Sequence, residues 1–544
     1  MRFFWSCLFL SLTLGVFAQH ETTLLYPKIE SNLVQRYQEI YRITKTDTAL
    51  LVQGNVYNRP NYWVQLDTGW LQGNVTGKRY RLVRSLDYPL GKRVGMPASG
   101  TREYTLQFEL PAPEDRYVDY YDQDGTLLFK GIALYPEKRK GFCCMIRGMI
   151  QDNANCSRLV LSSYDTDVRV GAFISIPVRD GKFEYPFYTD ERTVYTLASW
   201  HDYLNGSWTS KDLWVEPGTV EICFAPMAAE EKQTVFVSLT KLNKEMVRYE
   251  EWQKETFRDT LLFGQYERLE KEDRMYSDKM KEWLKSLEAE GVNLDSMWQM
   301  RDQMELNDEI YSPEMKVLNR KFDVRSQKMG ESKLEYARKP SLNGLYLLTG
   351  LLRKCSRGDA KLDAVEMIKL YREKYQQKFS GHPLAERIEA YIGALEIKKG
   401  GRFIDFTAPD LEGRPVRLSE YIAGKVALID LWASWCGSCR NTSQSMIPVY
   451  RDFKDKGFAI VGVARENGNT KAMENAIKKD GYPWLNLVEL NDRGGIWYKY
   501  GAGNAGGMTL LVDRSGTILA VHPTAEEVRK ILQDLLGQGE QNNE

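Results

Sequence analysis

Apolar and polar positions along the 544-residue chain change their period several times. From about residue 22 to 140, short alternating runs such as Tyr62-Trp63-Val64-Gln65-Leu66 and Tyr104-Thr105-Leu106-Gln107-Phe108-Glu109-Leu110 are separated by Gly, Pro and Asp. That is the period of half-buried strands. A second β-rich block, 141–226, holds Phe173-Ile174-Ser175-Ile176, the turn Asp180-Gly181 and Val220-Glu221-Ile222-Cys223-Phe224. Its Trp200, Trp208 and Trp214 suit a sandwich core better than a glycan-stacking surface. Between 227 and 400 the chain turns charged and helical. Leu262, Tyr266, Leu269, Tyr276, Met280, Trp283 and Leu287 recur at helical spacings, with Asp273 the one polar interruption. The stripe needs a partner surface, and the end of the repeat near Gly291 favours another helix of the same chain over a coiled-coil dimer. Helical patterns continue through 342–352 and 364–379, and Gly400-Gly401 marks a break.

From 402 to 540, apolar strand candidates at 426–433, 458–464, 484–490, 508–512 and 518–521 alternate with helix candidates at 436–456, 470–479 and 525–536. This alternation predicts an α/β layer with a mixed sheet. The expected fold class is therefore multidomain: two N-terminal all-β domains, a helical middle region and a C-terminal α/β domain. The length also calls for about three or four domains.

The N-terminus reads as a secretory signal at 1–18: Arg2, an apolar stretch at 3–17, then Val16-Phe17-Ala18 as a small-residue cleavage site after Ala18. The run is short for a membrane anchor, and Cys7 lies early in it rather than at its close, so an exported, soluble protein without lipid is expected. Lys plus Arg total 74 and Asp plus Glu total 74. This balance does not point to nucleic acid. With Cys7 removed, Cys143, Cys144, Cys156, Cys223 and Cys355 have no zinc-ligand spacing and read as buried thiols or one structural disulfide. Four histidines give little support to metal or cysteine-protease chemistry.

The sixth and seventh of the remaining cysteines carry the chemistry. Trp435-Cys436-Gly437-Ser438-Cys439-Arg440 follows a strand pattern and opens a helix pattern. Two thiols at this spacing form a reversible dithiol/disulfide couple, in which one attacks a substrate disulfide and the other resolves the mixed disulfide. The unpaired amides of a helix start favour a thiolate there. A structural disulfide or half a zinc site is the plain alternative, but no second close pair exists to complete a zinc site. Asp430 interrupts a strand apolar on both faces. Buried, it must be protonated or paired; at a strand end it would instead reach water.

The stretch Leu428-Ile429-Asp430-Leu431-Trp432-Ala433-Ser434-Trp435-Cys436-Gly437-Ser438-Cys439 resembles the active-site strand and turn of the thioredoxin superfamily. Together with Phe406-Thr407-Ala408-Pro409-Asp410-Leu411, Leu418-Ser419-Glu420-Tyr421 and Phe458-Ala459-Ile460-Val461-Gly462-Val463, it is similar to the TlpA/ResA branch of exported thiol-disulfide oxidoreductases over about 402 to 540. The preceding regions are similar to β-rich and helical modules of multidomain envelope proteins. The resemblance implies that Cys436 is the exposed nucleophile, Cys439 the resolving thiol, and Asp430 the buried acid that takes the resolving proton. It places Trp435, Gly437, Ser438, Gly507 and Met508 on the substrate-docking surface, with no cofactor beyond the Cys436/Cys439 disulfide and no metal. It also implies a periplasmic location, exported client proteins with disulfides as partners, and a membrane thiol electron donor.

Departures from the family pattern are visible. Ser438 stands where many relatives carry proline, Thr442 where some carry glutamate, and Pro448 falls later than the usual helix proline, where it should bend the helix. Gly507 stands in the family's cis-proline position before Thr509-Leu510-Leu511-Val512-Asp513, so this loop is either strained or trans, and its missing side chain leaves room for a substrate backbone. Loss of that proline keeps open a non-enzymatic envelope binding protein with a degenerate redox domain. A peroxiredoxin, which shares the domain entry 406–411, is disfavoured by the second cysteine and by the absence of that family's threonine before a single peroxidatic cysteine. A eukaryotic folding enzyme is disfavoured by the lack of a retention signal and by the sequon Asn441-Thr442-Ser443 on the active-site helix.

Overall fold

The computed structural model describes residues 21–537 apart from 152–155, 169–170, 205–207, 228, 230–232, 288–293, 359–361 and 503–505. The expected signal segment, with Cys7 and the cleavage site after Ala18, lies outside the described residues. In the first β-rich part, nine strands form one antiparallel sheet in the spatial order Thr22–Leu25, Gln38–Lys45, Ala49–Tyr57, Thr101–Glu109, Arg79–Ser85, Gly69–Gly73, Tyr117–Asp122, Leu127–Ala133, Ser31–Asn32. Alternation sends Leu50, Val52, Leu106 and Phe108 to one core with Leu71 and Phe129.

Two four-stranded sheets follow. One runs Lys182–Thr189, Phe142–Ile150, Gly218–Phe224, Val235–Ser238; the other runs Ile174–Pro177, Arg158–Ser163, Thr193–Ser199, Ser210–Val215. They enclose a shared core of Ile146, Val220 and Ile222 from the first and Leu159, Leu161 and Val215 from the second. Val235–Ser238 lies beyond residue 226, where helical character was expected to begin. Trp200 and Trp214 are buried, while Trp208 is exposed. Trp214 belongs to the core of the helical region and donates its indole N–H to Asn343 Oδ1 at 2.6 Å.

The helical region spans Lys241–Thr256 to Pro383–Leu395. The long apolar stripe is divided here between two helices, Thr260–Lys271 and Asp278–Ser286. Asp273, left-handed at φ 51°, makes the break, a conformation that Asp tolerates better than most residues. Leu262 and Leu269 then pack with Met315 and Leu318, while Met280 and Trp283 pack with Met304 and Ile310, so the partner surfaces are other helices of the same chain.

The C-terminal domain has a small hairpin, Thr407–Pro409 with Pro415–Arg417, and a central sheet of five strands: β1 Val426–Trp432, β2 Phe458–Glu466, β3 Leu485–Leu490, β4 Met508–Val512 and β5 Ile518–Val521. After the short helix Leu418–Tyr421, the helices that pack around this sheet are α1 Gly437–Phe453, α2 Lys471–Asp480, α3 Ile496–Lys499 and α4 Ala525–Leu536. The sheet order is β3-β2-β1-β4-β5, with β1, β2 and β3 parallel and β4 and β5 antiparallel to their neighbours. This is a mixed sheet. Every residue of β1 is buried, because each face is covered. Leu428 and Ile460 meet Met446, Val449, Val528 and Leu532 on one side, and Ile429 and Val461 meet Ile496 and Trp497 on the other.

Arg158 ties the two β-rich parts together. It is 1% exposed, its guanidinium lies 4.0 Å from the Tyr57 ring centroid and 5.0 Å from that of Trp200, and it donates to the Gln35 and Arg36 carbonyls. Cys143, Cys144, Cys156, Cys223 and Cys355 are unpaired, and burial pushes the Cys144 and Cys156 thiols up to about 11. Among the described residues no helix is long and apolar enough to cross a membrane, and no group of three or more His, Cys, Asp or Glu is placed to hold a metal.

Arg158→Ala removes a stacked cation and its bonds to two half-buried carbonyls, a loss of about 3 kcal/mol. Thermal melts should show an earlier transition, with Arg158→Lys recovering only part of it because a point charge cannot stack as a planar guanidinium does. Melts superimposable on wild type would contradict this.

Candidate active site

β1 delivers the chain to the carboxyl edge of the sheet, where Cys436 becomes the N-cap of α1 and its sulfur accepts the Cys439 N–H at 3.3 Å. Cys436 and Cys439 are disulfide-bonded. An N-cap sulfur facing helix amides sits where negative charge is favoured. Exposure differs from the family expectation: Cys436 is 5% exposed and belongs to the core that includes Ile496 and Trp497, whereas Cys439 is half-buried. The nucleophile implied as exposed is thus covered in the disulfide form, because the turn folds its sulfur back against the domain core. Trp435, 43% exposed, together with the exposed Gly437 and Ser438, forms the rim. Ser438 Oγ lies 3.6 Å from Cys436 Sγ.

Gly507 meets this turn from β4. Its N–H donates to Cys439 Sγ at 3.1 Å, a bond that a proline there would not make. No cis peptide bond occurs among the described residues, so the bond that joins Gly506 to Gly507 is trans. A Cβ on Gly507 would fall 1.8 Å from the Leu431 carbonyl oxygen and 3.0 Å from Cys439 Sγ, so only glycine fits. Met508 pairs with Leu431 and Thr509 with Asp430 in the β1–β4 register, placing the docking candidates of the loop beside the disulfide.

Asp430 is 2% exposed. Burial pushes its carboxyl up to about 7, and a hydrogen bond from Ser443 pulls it back only in part. Ser443 Oγ stands 2.6 Å from Asp430 Oδ2 and 3.0 Å from the Cys439 carbonyl oxygen. One hydroxyl carries one proton. With Asp430 ionised, Ser443 donates to the carboxylate. With Asp430 protonated, the carboxyl donates to Ser443, which is then free to donate to Cys439. The acid therefore takes up or gives a proton without leaving a buried group unsatisfied.

Two further contacts hold the turn. Glu466, at the end of β2, accepts the Ser434 N–H and hydroxyl, both at 2.7 Å, and burial raises its carboxyl above the usual range. Arg440 bridges from α1 to Asp480 with bonds of 2.6 and 2.7 Å. α1 runs through Pro448 to Phe453.

Ser443, Glu466, Arg440 and Asp480 escaped the sequence reading. Ser443 had a signal, since it falls four residues after Cys439 and so on the same helix face. Thr442, the position compared with a glutamate of some relatives, is not the residue that meets the acid. Glu466 and Asp480 reach the site only through tertiary packing.

Residues 400–521 match the AhpC/TSA family model. Over 167 residues the chain is 28% identical to the "Probable phospholipid hydroperoxide glutathione peroxidase" of Nicotiana tabacum, covering 26% of this chain and 98% of that protein. Over 132 residues it is 25% identical to the thiol-disulfide oxidoreductase ResA of Bacillus thuringiensis, covering 24% of this chain and 73% of that one. A crystal structure of the thioredoxin domain of a Bacteroides vulgatus thiol-disulfide oxidoreductase aligns at 26% identity and TM-score 0.24, covering 26% of this chain and 98% of that chain. The C-terminal domain is thioredoxin-like, with thiol-disulfide oxidoreductases among its homologues.

Two outcomes follow from this geometry. Folded Asp430 keeps its proton to about pH 7, against 3.8 for the ordinary group, so the native state binds the extra proton between these values. Stability contributed by this group is present at low pH and declines as pH rises, by roughly 4 kcal/mol in all. Asp430→Asn, with no charge to bury, should gain on wild type from pH 5 to pH 8 in denaturant melts; a pH-independent gap would contradict it. Gly507→Ala forces a methyl against the Leu431 carbonyl and should cost about 1–3 kcal/mol, read as a lower urea midpoint. An unchanged midpoint would show that the loop has slack.

Proposed function

We propose that this protein is a periplasmic thiol-disulfide oxidoreductase that reduces disulfides of exported client proteins through Cys436 and Cys439. The observation that carries the reading is the Cys436–Cys439 bond at a helix start with a buried carboxyl of pKa about 7 that Ser443 ties to the backbone carbonyl of Cys439.

In the dithiol state, the Cys436 thiolate attacks one sulfur of a client disulfide, and the other client sulfur leaves as a thiolate that takes a proton. Asp430 accepts the Cys439 proton near the pH at which its own carboxyl titrates. The Cys439 thiolate then attacks Cys436, the second client thiol departs, and the Cys436/Cys439 disulfide remains. Two electrons pass to the client. A thiol donor at the membrane returns them, with no cofactor beyond the disulfide itself. Trp435, Gly437, Ser438, Gly507 and Met508 border the approach to the sulfurs, and the β-rich and helical parts select or position the client.

A second reading has its own support. The AhpC/TSA match and the peroxidase relative fit a reaction in which a peroxide oxidises the Cys436 thiolate to a sulfenic acid, releasing water or an alcohol. Cys439 then condenses with it, releasing water and leaving the same disulfide.

The reduced full-length protein should be oxidised by insulin disulfides in a reaction that Cys436→Ser abolishes and that Cys439→Ser arrests as a mixed disulfide recoverable by mass. Hydrogen peroxide should oxidise it no faster than it oxidises a free dithiol. Peroxide outpacing insulin would establish the peroxidase reading. Inertness to both would leave a binding protein whose N-terminal β-rich parts do the work.

A further inference from the structure

One short segment of the second β-rich part, 164–168, meets the rest of the chain. Tyr164 packs in the core of the helical region. Asp165 pairs with Arg353 at 2.9 Å and Arg357 at 3.1 Å and accepts the Tyr391 hydroxyl. Arg36, in the turn between two strands of the first sheet, donates to the Val168 carbonyl at 3.3 Å. Asp167 reaches the C-terminal domain, where its Oδ2 lies 3.2 Å from Arg465 Nη1 with both side chains 5% exposed.

Arg465 is placed to transmit that contact. Its Nε donates to Asp492 Oδ1 at 2.6 Å and its Nη2 meets Asp492 Oδ2 at 2.5 Å, so the guanidinium is held between carboxylates from two parts of the chain. It lies 5.1 Å from the Trp497 ring centroid, and Trp497 lies 6.3 Å from Trp435. Its chain neighbour is Glu466, which binds Ser434 twice. The two residues before Cys436 are thus each reached from Arg465 by a single intermediate residue.

We propose that Asp167 is a positioning residue of the redox site: acting through Arg465, it fixes Ser434 and Trp435 and so sets how closely the Cys436 and Cys439 sulfurs are held. This rests on the redox reading and gives the second β-rich part a share in it. A buried guanidinium that loses one of its facing carboxylates is drawn toward those that remain, Asp492 and Glu489. Both supports of the turn move with it. A looser turn lowers the effective concentration of one thiol at the other, which favours the dithiol over the disulfide, and it uncovers Cys436.

The test compares wild type, Asp167→Asn and Asp167→Glu as full-length protein, by thiol-disulfide equilibrium against glutathione and by the rate at which iodoacetamide alkylates reduced Cys436, both read by mass. Asp167→Asn should shift the equilibrium about threefold or more toward the dithiol and quicken alkylation by a similar factor, and Asp167→Glu should move both back toward wild type. A purely structural contact would change the melting temperature and neither of these. Asp167→Asn equal to wild type in both overturns the inference. If that variant gives no folded protein, Arg465→Lys, which keeps the charge and loses the flat stack, is measured with the same expected shift and the same overturning result. Insulin reduction by wild type with Asp167→Asn unchanged removes this inference and leaves the functional reading. The shift in a protein that reduces no insulin does the reverse.

Discussion

A carboxyl group without a cation governs this site. Asp430 stands in a strand buried on both faces, and an ionised, unpaired carboxylate there would cost several kcal/mol. The protein answers by letting it keep a proton to near neutrality and by giving it one hydroxyl, Ser443, as partner. Everything that dehydrates Asp430 also builds the redox turn. β1 must be covered on both faces to bury the acid, and its covering helix α1 is the element whose first turn holds the disulfide. The proton-holding group and the sulfur couple are consequences of the same packing.

Around that core, the geometry is set by close approach rather than by bulk. The Leu431 carbonyl and Cys439 sulfur leave space at residue 507 for a hydrogen and nothing larger, and the amide there faces the sulfur. Glu466 grips the turn from one side, and Arg440 fastens the helix to Asp480 on the other. These polar contacts lie at the carboxyl ends of parallel strands, where open α/β sheets place their chemistry. The buried Arg465 carries the same arrangement outward to the second β-rich part, so the C-terminal domain is fitted to the chain that precedes it.

Much of the C-terminal domain was legible because its signals are local. Strand β4, strand β5 and helix α4 fall on the apolar runs that predict them, and a lone Asp in the uninterrupted apolar run of β1 announces a buried acid. What was not legible depends on contacts between distant residues. Glu466 and Asp480 carry no pattern of their own; only the parallel pairing of β1 with β2 and the return of α2 bring them to the turn. The burial of Cys436 was also invisible, since it comes from a core that draws in residues as distant as Ile496 and Trp497, some sixty residues away. In the helical region the apolar spacing runs on to Leu287, with Asp273 only a polar interruption within it. Period alone does not show that a single left-handed Asp divides it into two helices with separate partners.

The central claim is that Cys436 and Cys439 are a working reductant couple, and an equilibrium redox titration of the full-length protein tests it most directly. The fraction of disulfide is read by mass in buffers of defined glutathione ratio. One reversible two-electron transition is expected, about 30 mV per tenfold change in ratio, with a midpoint on the reducing side near the roughly −270 mV of thioredoxin. Cysteines that fail to cycle, or a midpoint toward the roughly −120 mV of a strong oxidant such as DsbA, would contradict it.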